Sequence, residues 1–368
     1  MTTNKNHNSP NVPNLRFPEF EGEWEKIELQ DIVPNICSGK DKISNSGKVV
    51  LYGSTGVIGK TDFASYKKNI VLVARVGANA GQLQIGNAPC GVTDNTLVID
   101  AKEWNYYIYY FLQHYNLNRL VFGSGQPLIT GGMLKKIKVG HGNKVERIKI
   151  TRLLCLLDKR IATQNKIIED LKKLKSAIIE KLYSKIQGKE YSYGQLFEVI
   201  NERNKQMEYS NILAASQEKG MVNRDDLNLD IQFERSNIDI YKIVRKGDYV
   251  IHLRSFQGGF AFSNMTGVCS PAYTILRPST LLEYGYLSYY FKSYRFIKSL
   301  IIVTYGIRDG RSISVEEWLN LKISIPSKEH QLHILKVLRS FDLKIENEET
   351  YASCLSNQKQ YLLRQMFI

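Results

Sequence analysis

The sequence has few cysteines and prolines and no long apolar run. Its five cysteines are an odd number and lie far apart among the 368 residues: Cys37, Cys90, Cys155, Cys269 and Cys354. This pattern disfavours a disulfide framework and a cysteine-rich zinc site, and it predicts a reducing, cytoplasmic environment. No run of 18 apolar residues occurs and residues 1–13 are polar, so we expect neither a membrane span nor a secretory signal.

Acidic residues are also in the minority. The chain has 50 lysines and arginines against 36 aspartates and glutamates, a formal net charge of +14. Residues 32–144 carry a net charge of +8 and residues 145–186 carry +6. Charge of this sign favours a polyanionic partner, of which nucleic acid is the commonest, although a merely solvated basic surface has the same composition. The length and the globular composition allow two or three domains.

Two segments of the chain repeat each other. Residues 157–182 match residues 341–366 at an offset of 184, and each places apolar residues at heptad positions with two polar exceptions at equivalent places, one of them Lys175 or Lys359. Such spacing predicts two helices that pack along one seam. A helix of about 40 residues is roughly 60 Å long at 1.5 Å per residue. Two unrelated helices, each packed on its own domain, are the alternative. The predicted helix-pair interface comprises Leu157, Ile161, Ile168, Leu171, Ile178, Leu182, Phe341, Ile345, Leu355, Leu362 and Met366.

The repeat extends upstream of both helices. In each copy we predict a buried strand that ends at an arginine, an amphipathic helix rich in tyrosine, a glycine-containing loop and a short closing strand. The strands and helices of the first copy are residues 69–75, 105–111 and 136–139, and those of the second are residues 248–254, 285–291 and 321–325. The chain therefore reads as globular domain, long helix, globular domain, long helix.

These patterns define the expected architecture. The fold class is mixed α/β (α+β), with two similar globular domains separated by two long helices that pack as an antiparallel coiled-coil pair with pseudo-twofold symmetry. The predicted boundaries are residues 1–144 for the first domain, 145–186 for the central long helix, 187–326 for the second domain and 327–368 for the C-terminal long helix. Because duplex DNA has local twofold symmetry, a pseudo-twofold protein suits two half-sites.

This order of elements resembles the specificity (S) subunits of type I restriction–modification systems. The opening Leu15–Glu25 (LRFPEFEGEWE) is similar to the leader before a first recognition domain, and residues 145–183 are similar to the family's central helix. Residues 325–331, followed by residues 341–345, are also similar to segments of the family. The run Gly140–Arg147 departs from the family's proline-rich, Glu-Glu-Gln-like helix entry. The resemblance covers nearly the whole chain.

The resemblance implies a non-catalytic role. In that family each globular domain reads one part of a bipartite duplex site, and the paired helices set the spacing between the two parts. The implied partners are double-stranded DNA, two DNA adenine methyltransferase (modification) subunits that dock on the helices, and restriction/translocase subunits. No cofactor, no metal and no membrane contact are expected.

Three motifs raise enzymatic alternatives. Gly53–Thr61 (GSTGVIGKT) approaches a phosphate-binding loop, but five residues separate Gly53 from the Gly-Lys-Thr, where four are needed; a DNA-facing glycine-rich loop or a plain turn is favoured. Ser270–Tyr273 approaches the adenine-holding Asn-Pro-Pro-Tyr motif but lacks the second proline. His330 and His333 lie one helical turn apart without a third ligand at a convincing spacing, so a solvated helix start is favoured over a metal site.

The loops that follow the predicted strands hold the candidate DNA contacts, because arginine, asparagine and glutamine read base edges and lysine holds phosphates. The DNA-binding candidates are Lys40, Lys42, Lys60, Arg75, Asn79, Gln82, Ser124, Gly125, Gln126, Arg254, Ser255, Gln257, Arg308 and Arg311. Each of them is equally compatible with a solvated surface or strand-end position. The tyrosines of residues 105–111 are expected to pack rather than to stack on bases, since they recur at helical spacing.

The sequence leaves two functions of different class open. The first is a catalytically silent subunit that binds specific duplex DNA. The second is a coiled-coil protein-interaction scaffold whose basic surface is incidental. Enrichment of a split motif from random duplexes distinguishes the two.

Overall fold

The fold is taken from a computed structural model of the chain. It describes residues 11–121, 127–216, 219–227, 235–252, 259–305 and 312–368. The chain packs into two compact units, one formed by residues up to Lys166 together with Thr350–Ile368, the other by Ile167–Glu349. Each unit holds helices and small, mostly antiparallel sheets, which confirms the mixed α/β class. In the described part of the chain, no helix combines the length and the apolar character needed to cross a membrane.

The two long helices are the largest elements. Helix α4 spans Lys144–Ser184 and helix α9 spans Lys328–Gln365, and both contribute to each unit. Each begins at a polar cap: the Asn143 side chain accepts a hydrogen bond from the backbone N–H of Glu146, and the Ser327 hydroxyl accepts one from His330. These caps satisfy N–H groups of the first turn, which have no partner inside the helix.

The first unit is built on a four-stranded sheet in the order β2-β8-β5-β6, beside a three-stranded sheet β4-β3-β7 and a pair β1-β9. Neighbours in the four-stranded sheet are antiparallel. The strands of the first unit are β1 Glu25–Glu28, β2 Cys37–Ser38, β3 Val49–Gly53, β4 Gly56–Thr61, β5 Ile70–Ala74, β6 Leu83–Gly86, β7 Cys90–Val92, β8 Thr96–Ile99 and β9 Lys138–His141. Its shorter helices are α1 Leu29–Ile32, α2 Asn105–Tyr115 and α3 Gly131–Lys135.

The second unit repeats this plan. Its four-stranded sheet has the order β11-β18-β15-β16 and is again antiparallel throughout, and the pair β10-β21 corresponds to β1-β9. Its strands are β10 Lys189–Ser192, β11 Phe197–Ile200, β12 Leu213–Ser216, β13 Gly220–Asn223, β14 Lys242–Val244, β15 Tyr249–Ile251, β16 Phe260–Phe262, β17 Gly267–Cys269, β18 Thr274–Pro278, β19 Thr304–Tyr305, β20 Ser312–Ile313 and β21 Lys322–Ile325. Its shorter helices are α5 Tyr193–Leu196, α6 Tyr286–Tyr290, α7 Tyr294–Ser299 and α8 Val315–Asn320.

The predicted strands and helices fall where expected, with small shifts. Strand β5 is fully buried, as its apolar run predicted, and α2 covers the predicted tyrosine-rich helix. The closing strand β9 begins two residues later than the predicted residue 136, because the backbone N–H of Ile137 instead donates to Leu134 and completes the turn after α3. Likewise Leu321 bonds back to Trp318, so β21 starts at the next residue.

The core of each unit joins its sheet to its part of the helix pair. In the first unit Tyr107 and Phe111 of α2 pack in one apolar cluster with Leu154 of α4 and Phe367 beyond α9. In the second unit Phe291 and Trp318 share a cluster with Tyr183 of α4. The predicted packing role of the tyrosines of α2 is confirmed for Tyr107, which is buried. Each sheet domain is therefore continuous, through its core, with a segment of the long helices.

The burial of the cysteines predicts their reactivity. Cys37 and Cys354 are exposed, whereas Cys90 and Cys269 are buried; burial raises the pKa of the Cys90 thiol to about 11 and that of Cys269 to about 12. Because only the thiolate reacts with maleimide, we expect two fast thiols at pH 8, slower labelling of half-buried Cys155, and no labelling of Cys90 and Cys269 before unfolding. Peptide mass mapping after timed labelling gives each rate, and denaturant should release all five. Fast labelling of Cys90 in the folded protein would contradict this packing.

Candidate nucleic-acid interface

One end of the four-stranded sheet of the first unit collects several predicted contacts. Strands β2 and β5 end there and β6 and β8 begin there, because neighbouring strands are antiparallel. The register pairs Ala74 with Thr96 and Ser38 with Leu97. Lys40, Arg75 and Gln82 follow or precede these strand ends, so the fold brings them to one edge although they are distant in sequence. We call this edge the first sheet end.

Backbone hydrogen bonds hold the loops of the first sheet end together. The N–H of Arg75 donates to the carbonyl of Asn95 (3.0 Å), and the N–H of Gly39 donates to that of Thr96 (3.0 Å). Within the loop between β5 and β6, Gln82 donates to Asn79 (2.9 Å). The turn of residues 93–96 thus joins the segment that carries Lys40 to the loop that carries Arg75. Asn79 and Gln82 are exposed on this frame, and Arg75 is half-buried.

The loop between β5 and β6 needs glycine at two positions. Gly77 and Gly81 adopt φ of +79° and +90°, values that side chains rarely tolerate. At Gly81 a Cβ atom would also meet Ile129, Asn118 and Leu117 at 3.2–3.3 Å. The loop therefore lies close against the segment that follows α2.

A second predicted loop adjoins the first sheet end. Ser124, Gly125 and Gln126 lie outside the described residues, but Pro127 follows them directly, and its carbonyl accepts a hydrogen bond from Gly77 (3.0 Å). Ile129 donates to the carbonyl of Arg75 (2.9 Å). The described residues that follow this loop are therefore hydrogen-bonded to the β5–β6 loop.

The predicted phosphate-holding lysines flank this edge. Lys40 and Lys42 are exposed on either side of Asp41, whose carboxylate accepts bonds from the N–H of Val92 (2.8 Å) and the hydroxyl of Ser65 (2.6 Å). Lys60 is exposed on β4 opposite Val50, several strand positions from the sheet end. Over the described ranges these three lysines form no ion pair. Lys40 thus lies at the sheet end itself, and Lys60 lies farther along the hairpin.

The second unit has the equivalent sheet end. The loop between β15 and β16 starts at His252, whose N–H donates to the carbonyl of Gly259 (2.9 Å), as Ala74 does to Gln82 in the first unit. Arg254, Ser255 and Gln257 of this loop lie outside the described residues. So do Arg308 and Arg311, which follow β19 and precede β20. For these five residues the sequence-based assignment stays a prediction.

Sequence reasoning missed some polar residues at both sheet ends. Asn95 is exposed in the turn that binds Arg75. In the second unit the Nζ atom of Lys242 donates to the carbonyl of Tyr273 (2.8 Å), and the Tyr273 ring lies 6.2 Å from that of His252. The signal for Asn95 was the polar Thr-Asp-Asn turn between two apolar strands. No local pattern marks Lys242, because its neighbour is 31 residues away.

A polar cluster anchors the first domain to its helix pair. The Tyr110 hydroxyl of α2 donates to Asp158 Oδ2 of α4 (2.8 Å), and Lys359 Nζ of α9 binds Asp158 Oδ1 (2.6 Å). The same Nζ atom lies 5.6 Å from the centre of the Tyr110 ring. Burial raises the pKa of Tyr110, and the adjacent Cys155 and Asp158 raise it further, so the hydroxyl keeps its proton for donation.

The second unit contains the same cluster. The Tyr289 hydroxyl donates to Asp342 Oδ2 (2.5 Å), Lys175 forms an ion pair with the same carboxylate, and its Nζ atom lies 5.1 Å from the Tyr289 ring centre. Burial and the bond to Asp342 raise the pKa of Tyr289. Lys175 and Lys359 are the shared polar exceptions of the two heptad stripes. We call these groups the Tyr–Asp–Lys clusters.

The helices run antiparallel inside each unit. In the first unit Arg160 of α4 lies over the Tyr351 ring of α9, while Asp158, earlier in α4, pairs with the later Lys359. In the second unit Lys172 pairs with Glu349 and Lys175 with Asp342. The eleven predicted interface residues are all buried or half-buried, as is Gln164, a polar exception of the first stripe.

The comparisons with known proteins agree with this architecture. Residues 21–187 match the family model of the type I restriction modification DNA specificity domain. The chain is similar to this family over that segment. It is 26% identical over 200 residues to the type I restriction enzyme MjaVIII specificity subunit of Methanocaldococcus jannaschii, an alignment that covers 49% of this chain and 46% of that subunit. It is 23% identical over 387 residues to the putative MjaX specificity subunit of the same organism, across 91% of both chains.

The fold is shared with a solved structure. The type I restriction–modification S subunit from M. genitalium has a TM-score of 0.58 and 17% identity, over 97% of this chain and 99% of that one. The predicted resemblance to type I specificity subunits is confirmed by sequence similarity and by fold.

Two of the motifs that suggested enzymes have structural explanations. Gly53–Thr61 forms the hairpin of β3 and β4, and no helix follows it to complete a phosphate-binding loop. His330 and His333 lie in the first turns of α9. Within the described ranges no group of three histidine, cysteine or acidic side chains is placed to hold a metal ion.

The Tyr–Asp–Lys clusters predict a loss of stability on substitution. Asp158→Asn removes the charge that Lys359 requires while keeping the shape, and we expect unfolding to become easier by about 1–3 kcal/mol, the range for a charge-assisted hydrogen bond. Asp342→Asn should behave alike in the second unit. Denaturant titration followed by far-ultraviolet circular dichroism measures the change. Lys173→Met, which breaks an exposed i,i+4 pair with Glu169, is the control and should cost at most about 0.5 kcal/mol. Equal losses for control and cluster would contradict the anchoring role.

Proposed function

We propose that this chain is the DNA-sequence-recognising subunit of a type I restriction–modification complex, and that each globular domain reads one half of a bipartite duplex site. The observation that carries the proposal is the duplicated sheet end. Two domains of the same strand order present an equivalent loop, at β5–β6 and at β15–β16, on the same edge of an equivalent sheet. Two equivalent reading edges in one chain suit a target of two half-sites.

The chemistry of the first sheet end supports DNA as the ligand. Arginine and lysine suit guanine, and asparagine and glutamine suit adenine, when they are presented from loops that fit the major groove. Arg75, Asn79, Gln82 and Asn95 lie there on a hydrogen-bonded frame, with Lys40 beside them. The net charge of +14 supplies the electrostatic part of the affinity.

The helix pair sets the spacing in this proposal. Each Tyr–Asp–Lys cluster fixes a domain to its segment of α4 and α9, and both helices contribute to both units. On this basis we propose that the length of the helices determines the spacer between the two half-sites of the duplex. The partners proposed are double-stranded DNA, two adenine methyltransferase subunits docked on the helices, and restriction/translocase subunits. The chain itself supplies no catalytic group and no cofactor.

Selection from random duplexes tests the proposal. The full chain, co-purified with its methyltransferase partner, is incubated with a random duplex pool at two salt concentrations, and the bound duplexes are sequenced. We expect enrichment of two short motifs separated by a fixed unread spacer. No enrichment with the partner present would overturn the proposal in favour of a protein-interaction scaffold.

Two variants separate base reading from phosphate contact. Arg75→Ala should relax recognition in one half-site only, by about 1–3 kcal/mol at one base pair. Lys40→Ala should weaken binding to all sequences and reduce the slope of log K against log salt by about 0.9. Lys173→Ala, an exposed lysine of α4, is the matched control for Lys40. Uniform loss of affinity in Arg75→Ala, without change of motif, would contradict base reading by this residue.

A further inference from the structure

The hairpin of β3 and β4 has an irregular register. Leu51 pairs with Gly59 and Tyr52 pairs with Val57, so Ile58 is an extra residue in β4, a β-bulge. In a regular strand, consecutive side chains point to opposite faces. A bulge bends the strand and redirects side chains, and bulges are frequent beside functional sites.

The bulge exposes adjacent aliphatic side chains. Val57 is 61% exposed and Ile58 is 42% exposed. Ile43 is also exposed and lies against Gly59, where a Cβ atom would be 3.7 Å from its Cγ1 atom. We call Ile43, Val57 and Ile58 the apolar strip. A cluster of exposed aliphatic groups on a hydrophilic domain marks a contact surface.

The apolar strip is continuous with the first sheet end. The side chain of Gln84 on β6 donates to the carbonyl of Gly53 at the hairpin turn (2.6 Å). The N–H of Thr93 donates to the carbonyl of Tyr52, the residue opposite Val57 (3.0 Å). Thr93 opens the turn that carries Asn95 and binds Arg75. The hairpin tip therefore lies beside the candidate base-reading loops.

The surroundings of the apolar strip are basic. Residues 40–68 contain six lysines and two aspartates, a net charge of +4. Asp41 accepts a hydrogen bond from Ser65, and Asp62 accepts bonds from Ser44 and Ser46. A surface that combines aliphatic groups with lysines complements a polyanion that also displays apolar groups. The major groove of DNA is such a surface, because each thymine presents a C5-methyl group there.

We propose that the apolar strip contacts thymine methyl groups in the half-site read by the first domain, with Lys42 and Lys60 on the flanking phosphates. This inference rests on the proposed function and adds a specificity-determining element to it. The corresponding hairpin of the second unit, β12 and β13, has no exposed large aliphatic side chain among its described residues. The effect is therefore confined to one half-site.

Deoxyuridine substitution tests the contact from the DNA side. The probe is the duplex selected by the full chain, and its first half-site is the one whose recognition Arg75→Ala relaxes. Replacing thymine by deoxyuridine removes only the methyl group. We expect binding to weaken about fourfold for each contacted methyl, the effect of about one buried methylene. The same replacement in the second half-site should leave the contribution of the strip unchanged.

A double variant tests the contact from the protein side. Val57→Thr with Ile58→Thr replaces a methyl group and an ethyl group, respectively, by hydroxyls on exposed strand positions, where threonine is well tolerated. This variant should bind the thymine duplex as weakly as wild type binds the deoxyuridine duplex, and it should no longer respond to deoxyuridine. The matched control is Val145→Thr with Ile148→Thr on α4, where the residues are 65% and 55% exposed; it should keep both the affinity and the response.

Several outcomes overturn the inference. Deoxyuridine could weaken binding equally in wild type and variant, or weaken it in neither. The first half-site could contain no thymine, or the variant could lose the same affinity for every duplex. Equal melting temperatures of variant and wild type show that folding is unaffected. If wild type selects no split motif at all, the proposed function has failed instead, which is a different result from a split motif that ignores the methyl groups.

Discussion

Each domain of this protein is fixed to its helix pair by one carboxylate that is shared between a tyrosine hydroxyl and a lysine ammonium group. Apolar packing of Tyr107 and Phe111 against α4 supplies most of the attraction but is not directional, so it permits a domain to slide or rotate by small amounts. The bonds of Asp158 to Tyr110 and Lys359 have strict geometry and join three helices at one point. These bonds therefore fix the orientation of the first domain on its segment of the helices, as the bonds of Asp342 do for the second domain.

The two copies have kept this anchor and changed the reading surface. Asp158 and Asp342 have the same two partner types, even though the tyrosines lie 48 and 53 residues from them along the chain. By contrast, the first hairpin turns through Ser54 and Thr55 and exposes aliphatic groups, whereas β13 of the second hairpin buries Met221. The two domains are therefore anchored to the helices in the same way, whereas their hairpins beside the sheet ends differ in the side chains that they expose.

Periodic features were predictable from the sequence, and long-range polar contacts were not. The heptad spacing predicted both long helices, and the apolar run of residues 70–74 predicted β5, because each of these signals lies in one continuous segment of the chain. The same heptads marked Lys175 and Lys359 as exceptions but gave no hint of Tyr289 and Tyr110 as their neighbours. The segment Gly53–Thr61 was predicted only as a DNA-facing glycine-rich loop or a plain turn, because its bulge depends on pairing with β3 and its glycines weaken the alternation of apolar and polar residues.

At the first sheet end, main-chain hydrogen bonds hold the loops in place, and these bonds do not depend on which side chains the loops expose. The bonds from Arg75 to Asn95 and from Gly77 to Pro127 use main-chain atoms, so they survive any change of side chain at the exposed positions of the loop. Gly77 and Gly81 hold the loop in a left-handed conformation, and a Cβ at Gly81 would press on Ile129. Substitution at Asn79 or Gln82 therefore changes an exposed side chain without moving the loop, while substitution of either glycine moves the loop and the side chains that it carries.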